Sequence, residues 1–167
     1  MDARWSTERM KPIRRPMPQG VQRQLPLLYV EDNDDNWEVV KLRMNRTYEL
    51  KRAATDREAC ASLARADEFY AVLMDIELSG SRLNGIQLTR LLRGTLPEAE
   101  RLSYAQNVPA SSVPVLFVTA YGSAYTREEL LAAGADGVLF KPVDFTKLSL
   151  ALTNCHLNRA TKHRGDG

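Results

Sequence analysis

Four short apolar runs in this chain each end on a polar or charged side chain, and that recurrence constrains the fold more than any other feature. Leu25 to Val30 leads into Glu31 and Asp32, Ala71 to Met74 into Asp75, Pro114 to Val118 into Thr119, and Gly137 to Phe140 into Lys141. Such runs, too short for helices, read as strands buried on both faces. If helices separate them, the strands are parallel and their C-terminal ends share one edge, where open α/β sheets bind ligands. Three carboxylates, a hydroxyl and an ammonium would then converge.

A chain of 167 residues with 44% hydrophobic content can bury one sizeable core, so one domain is expected, with no room for a second, output-type domain. No apolar stretch approaches the ~20 residues needed to span a bilayer. The first 24 residues also lack the apolar run of a signal peptide, so the sequence reads as cytoplasmic, without membrane insertion. Cys60 and Cys155 have no metal-ligand spacing and read as free thiols.

The net charge of +2 conceals an asymmetry. Residues 1–24 hold six Lys/Arg against two acids, and residues 155–167 hold three against one, whereas residues 25–154 hold 14 against 18. An acidic body does not suit nucleic acid. Arg4, Arg9, Lys11, Arg14 and Arg15 alternate with Pro12, Pro16 and Pro18, which predicts a flexible basic arm over residues 1–24. The expected division is this arm, a folded unit over 25–158 and a tail over 159–167.

Between the strands the pattern turns helical. Asn33, Asp34 and Asp35 offer caps for a helix near 34–45, with Trp37, Val40 and Met44 on its core face. A strand near 48–53 and an Ala-rich helix from Asp56 to about Ala66 follow. Ile86, Leu88, Leu91 and Leu92 mark a further helix that ends near Gly94, a C-cap candidate. Residues 95–112, with Pro97, Pro109 and paired serines, are expected to be exposed and partly irregular. A helix over about 126–133, the run 137–140 and a helix over roughly 144–158 complete five βα units. His156 and His163 sit in or near the basic C-terminal end and suggest no phosphotransfer histidine.

Carboxylates gathered at neighbouring strand ends repel one another unless a cation neutralises them. Mg²⁺ suits such a site, since it takes oxygen ligands, keeps several waters and is completed by substrate phosphate. Lys141 would neutralise a phosphate oxygen and Thr119 would hydrogen-bond another, leaving Asp75 to attack phosphorus. These are the requirements of phosphoryl transfer.

The segments Leu28-Tyr-Val-Glu-Asp-Asn33, Val72-Leu-Met-Asp-Ile76, Val115-Leu-Phe-Val-Thr-Ala120 and Ala132-Ala-Gly-Ala-Asp-Gly-Val-Leu-Phe-Lys-Pro142 resemble, in order and spacing, the receiver domains of two-component response regulators. The resemblance covers roughly residues 25–158. It implies a flavodoxin-like, doubly wound α/β fold: a five-stranded parallel sheet in the order 2-1-3-4-5 with helices on both faces. It implies Asp75 as phosphoacceptor, with Mg²⁺ held by Asp32, Asp75 and the backbone carbonyl of Glu77, and by Glu31 more through water. Thr119, Ala120 and Lys141 match the residues that bind and sense the phosphoryl group, and Lys141-Pro142 matches a cis peptide. The implied protein accepts a phosphoryl group from a histidine kinase or histidine phosphotransfer protein and is no turnover enzyme. It would signal to an unidentified protein through the face formed by the fourth helix, fifth strand and fifth helix. A homodimer contact would fall on that same face.

Three departures qualify the match. The loop from Glu77 to Asn84 is about two residues longer than family habit. The 95–112 connection is also longer and reads as a partner-specific surface. Val138 stands where the family often has a switch Tyr or Phe, so coupling is expected to be weaker or different, with Phe140 on the same strand face as a partial substitute. Glu77 and Tyr121, two residues beyond Asp75 and Thr119, match positions that tune phosphoryl lifetime. Val138 keeps a weakly switching or constitutive receiver-like module as the alternative. A Mg²⁺-dependent phosphatase-like hydrolase fits less well, because its Asp-x-Asp nucleophile motif belongs near the end of the first strand, and here that strand ends Glu31-Asp32-Asn33-Asp34.

Overall fold

A computed structural model describes residues 23–120 and 124–162. Most of the expected basic arm, Tyr121 and His163 lie outside the described residues. Five strands, β1 (Leu25–Val30), β2 (Tyr48–Ala53), β3 (Ala71–Met74), β4 (Val115–Ala120) and β5 (Gly137–Lys141), alternate with α1 (Asp34–Met44), α2 (Asp56–Leu63), α3 (Gly85–Arg93), α4 (Arg127–Ala132) and α5 (Phe145–Lys162). All pairings are parallel and the sheet order is β2-β1-β3-β4-β5, the flavodoxin-like order expected from the sequence. The chain steps outward from β1 to β2 and then crosses to β3 on the other side of β1. That reversal opens a crevice beyond the carboxyl ends of β1 and β3.

Period-two alternation sends each strand's apolar residues to both faces. Leu27, Tyr29, Leu73, Leu116 and Val118 pack with Val40 and Met44 of α1 and with Leu148 and Leu152 of α5. Leu28, Val30, Val72, Met74 and Phe117 pack on the opposite face with Leu63 of α2, Leu88 and Leu91 of α3 and Leu130 of α4. Trp37 is half-buried at the edge of the first layer. Asn33 caps α1 by accepting from the Asn36 N–H at 2.9 Å. Gly94 ends α3 with φ of 73°, a left-handed conformation that costs glycine least. Cys60 and Cys155 are both buried and neither is in a disulfide.

The structure departs from the sequence reading at several places, and β5 reaches Lys141 rather than ending at Phe140. The second helix stops at Leu63, and Ala66–Glu68 forms a separate 3₁₀ turn. β4 runs on through Ala120, so Thr119 lies inside a strand rather than after it. The last helix continues to Lys162. The 95–112 connection is not simply a surface loop: Leu96, Ala105 and Val108 are buried in the α2–α3 layer, with 3₁₀ turns at Glu98–Glu100 and Ser103–Ala105. Its apolar residues are too widely spaced for any single helical or strand period, which is why the pattern hid their burial.

Candidate phosphoryl-transfer site

The expected residues meet at the carboxyl edge of the sheet. Glu31, Asp32, Asp75, Thr119, Ala120 and Lys141 line a cleft of about 410 Å³, together with Glu77 and Ser79. Glu31, Asp32 and Asp75 each present an oxygen within 4.8 Å of the others.

Glu31 is fully buried. Its Oε2 accepts from the Tyr29 hydroxyl and from Lys141 Nζ, both at 2.7 Å. Its Oε1 accepts from the Asn33 N–H at 3.0 Å and Asn36 Nδ2 at 3.4 Å. Four donors match the roughly four acceptor positions of a carboxylate, so Glu31 is saturated by its own protein. Asp32, half-buried, accepts the Ser79 N–H at 2.9 Å. Burial pushes the Asp32 carboxyl up, but the Ser79 bonds and the Lys141 charge outweigh it and hold it below its ordinary value.

Asp75 follows β3 directly. Its Oδ1 accepts the Ile76 N–H at 2.7 Å and its Oδ2 accepts Lys141 Nζ at 3.0 Å. Burial raises the Asp75 carboxyl above its ordinary range, Lys141 opposes the rise and the Glu31 charge adds to it. Burial alone would lower Lys141, yet its bonds to Glu31 and Asp75 raise it, so it stays an ammonium bridging two acids. The Lys141-Pro142 peptide is cis.

Glycine 85 fixes the backbone beneath Asp75. Its N–H donates to the Ile76 carbonyl at 2.8 Å. A Cβ at position 85 would lie 2.0 Å from the Asp75 carbonyl oxygen, so only glycine lets α3 start this close to the end of β3.

Thr119 is buried opposite Phe140 in the sheet register, and Ala120 lies opposite Lys141. Val138 packs with the core that holds Leu130 and Ala133. Phe140, on the same strand face, is 41% exposed.

Three contributors escaped the sequence reading. Tyr29 lies near the end of β1, two residues before Glu31, a period-two spacing that directs both to one face and could have drawn notice. Arg52 pairs in register with Tyr29 on the neighbouring strand. Its Nε and Nη2 donate to the Glu31 and Asp32 carbonyls, each at 2.9 Å, and its Nη1 lies 2.7 Å from Asp34. One guanidinium thereby holds the backbone of both acids. Ser79 bonds Asp32 through its side chain as well as its backbone N–H, and a lone serine in a loop leaves no linear signal.

The comparisons with known proteins agree with this geometry. The model of the response regulator receiver domain matches residues 27–153. The transcriptional regulatory protein ZraR of Klebsiella oxytoca is 30% identical over 131 residues, which cover 78% of this chain and 26% of that protein. The response regulator mcs4 of Schizosaccharomyces pombe is 28% identical over 149 residues, 81% of this chain and 28% of the relative. The chain thus spans little more than a quarter of the length of these curated relatives. The receiver domain of a sensor histidine kinase from Pseudomonas aeruginosa PAO1, whose crystal structure has a magnesium ion coordinated in the active-site cleft, matches with a TM-score of 0.62 at 28% identity. That match covers 80% of this chain and 98% of the other. Fold, cleft and family model converge: this chain belongs to the response regulator receiver domain family.

Proposed function

We propose that the chain is a phosphoacceptor that takes a phosphoryl group onto Asp75 from the phosphohistidine of a histidine kinase or histidine phosphotransfer protein. The observation that carries this reading is the grouping of three carboxylate oxygens within 4.8 Å of one another, with the Lys141 ammonium against two of the three residues. The Asp75 carboxylate attacks phosphorus, the P–N bond to the donor imidazole breaks as the P–O bond forms, and the imidazole leaves with the electron pair. Lys141 then has an anionic phosphoryl oxygen to pair with in place of Asp75. Thr119 supplies a hydroxyl donor and Ala120 a backbone N–H at the end of β4. These groups position the reactants and neutralise charge, which is most of what phosphoryl transfer demands.

The donor set fits Mg²⁺: hard oxygen ligands, partly exposed at Asp32, with room left for water and phosphate. Asp32, Asp75 and the Glu77 backbone carbonyl would hold the ion. Glu31 would act through water that replaces the longest of its four bonds, the one from Asn36 Nδ2 at 3.4 Å. Bound there, Mg²⁺ would offset the charge that accumulates on the phosphoryl oxygens.

The phosphoryl group adds about −1.5 to −2 charge at the cleft. The response reaches a downstream protein through the α4–β5–α5 face, which would also carry any homodimer contact, and buried Val138 weakens the coupling. Residues 25–158 form the receiver, flanked by a basic arm and a short tail. The chain works in the cytoplasm and catalyses only its own phosphorylation and dephosphorylation.

Intact-mass spectrometry of the full chain with Mg²⁺ and acetyl phosphate, alongside Asp75→Asn, tests this. A single phosphoryl adduct on wild type and none on the variant is expected. No adduct, and no change in hydrogen exchange with beryllofluoride, would instead favour a constitutive receiver-like interaction module.

A further inference from the structure

The 77–84 loop and the 95–112 connection flank α3 and are both tied to one buried carboxylate. Asp56 begins α2 and is 4% exposed. Its Oδ2 accepts the backbone N–H groups of Arg82 and Leu83, each at 3.0 Å, and also the Tyr104 hydroxyl. Its own N–H donates to Ser81 Oγ at 3.0 Å. The Arg57 guanidinium lies 4.3 Å from the Tyr104 ring centroid and holds that ring from its face. A second tie runs from the connection to the other end of the loop: Gln87, whose side chain closes the α3 capping box with Asn84, donates through Nε2 to Glu100 at 3.0 Å.

The loop held in this way is the one that meets the cleft. Ser79, two residues before Ser81, donates its N–H to Asp32 Oδ2, and Glu77 lines the same cleft. Leu78 and Leu83 are buried on either side of the exposed tip. The loop has no regular hydrogen-bond ladder of its own, so its backbone position depends on anchors from outside it.

We propose that Asp56 and Tyr104 are positioning residues for the phosphoryl site: through them the 95–112 connection holds the 77–84 loop, and with it the Glu77 and Ser79 backbone, against Asp32. The inference rests on the receiver reading above. It makes the connection the partner of the loop, so the two segments work as one device. Loosening it weakens Mg²⁺ binding and admits water to phosphorylated Asp75.

The test measures the Mg²⁺ dissociation constant by calorimetry, and the lifetime of the phosphoryl adduct by mass spectrometry, for the full-length wild type, Tyr104→Phe, Asp56→Ala and Leu96→Ala. Tyr104→Phe keeps the ring and its Arg57 contact but loses the hydroxyl. It is expected to lower Tm by only a few degrees, raise the dissociation constant roughly threefold, the equivalent of part of one hydrogen bond, and shorten the adduct lifetime. Asp56→Ala loses all three acceptor contacts and is expected to show a larger change in both. Leu96 is buried in the same connection, and its apolar side chain cannot hydrogen-bond Asp56; Leu96→Ala is expected to lower Tm while leaving the dissociation constant unchanged. An unchanged constant in both Tyr104→Phe and Asp56→Ala overturns the proposal, as does a change in Leu96→Ala equal to theirs. If wild type binds no Mg²⁺ and takes no phosphoryl group, the receiver reading itself falls and this inference with it.

Discussion

The carboxylate cleft and the 95–112 connection sit on either side of the 77–84 loop, yet they are built in opposite ways. The cleft draws Glu31, Asp32, Asp75, Thr119 and Lys141 from the ends of parallel strands whose register holds them in place. The connection has only two 3₁₀ turns and is held by buried apolar residues and by side chains reaching in from other elements. Arg93 is one of these, donating to the Ser111 carbonyl at 2.7 Å and, beyond the connection, to the carbonyls of Val113 at 2.8 Å and Gly134 at 2.9 Å and to Asp136 at 3.1 Å. Regular elements place chemistry; irregular ones need staples, and a staple can carry a mechanical effect to wherever its other end is tied.

The largest effect is expected at the backbone under the cleft. Gly85→Ala forces a Cβ against the Asp75 carbonyl, and a loss of about 3 kcal/mol in urea unfolding is expected, at the upper end for overpacked sites. The same variant is expected to lose the phosphoryl adduct, since Asp75 moves with its backbone. Arg93→Met leaves three backbone carbonyls without their donor and is expected to cost about 2 kcal/mol. Because these bonds reach residues 111–136 rather than the 77–84 loop, the Mg²⁺ affinity of Arg93→Met should match wild type. A change there would erase the distinction between the two regions.

Asp75→Asn is expected to stabilise the metal-free protein. Burial raises the Asp75 carboxyl in the folded state, so its favourable contribution is complete below its unfolded value of 3.8 and is lost as pH rises through the folded value. At pH 7 the ionised group therefore costs stability. Removing it is expected to gain on the order of 1 kcal/mol in thermal unfolding, with the gain vanishing below pH 3.8.

The smallest effect is at Tyr104. Burial pushes Asp56 up, but the Tyr104 hydroxyl and the Leu83 and Arg82 N–H groups outweigh it, leaving its carboxyl below the ordinary 3.8. Burial and the Asp56 bond push Tyr104 to about 12 from 10.0. The Asp56 contribution is thus present above pH 3.8 and lost as pH falls through the folded value. The Tyr104 contribution is present below pH 10.0 and lost as pH rises through about 12. Tyr104→Phe is expected to lose about 0.5–1 kcal/mol at neutral pH and to converge with wild type at both extremes, as read by denaturant midpoints across pH.

The contrast between the regions also explains what the sequence made legible. Strand ends betray themselves because an apolar run stops on a polar residue, so the five cleft side chains and the order of elements could be read directly. Tyr29 and Arg52 were missed because their roles depend on side-chain reach within and across strands, which no linear pattern records. Asp56 looked like an ordinary first-turn acid, and Tyr104 lay in a segment without period. Their pairing spans 48 residues and exists only in the folded chain.

The central claim is that Asp75 itself receives the phosphoryl group. Borohydride reduction of the chain after treatment with Mg²⁺ and acetyl phosphate, followed by peptide mass spectrometry, locates the acyl phosphate chemically, because reduction converts a phosphorylated aspartate to homoserine. Homoserine at position 75 and nowhere else is the result this account predicts. Reduction at Asp32 or another carboxylate, with Asp75 intact, would contradict it.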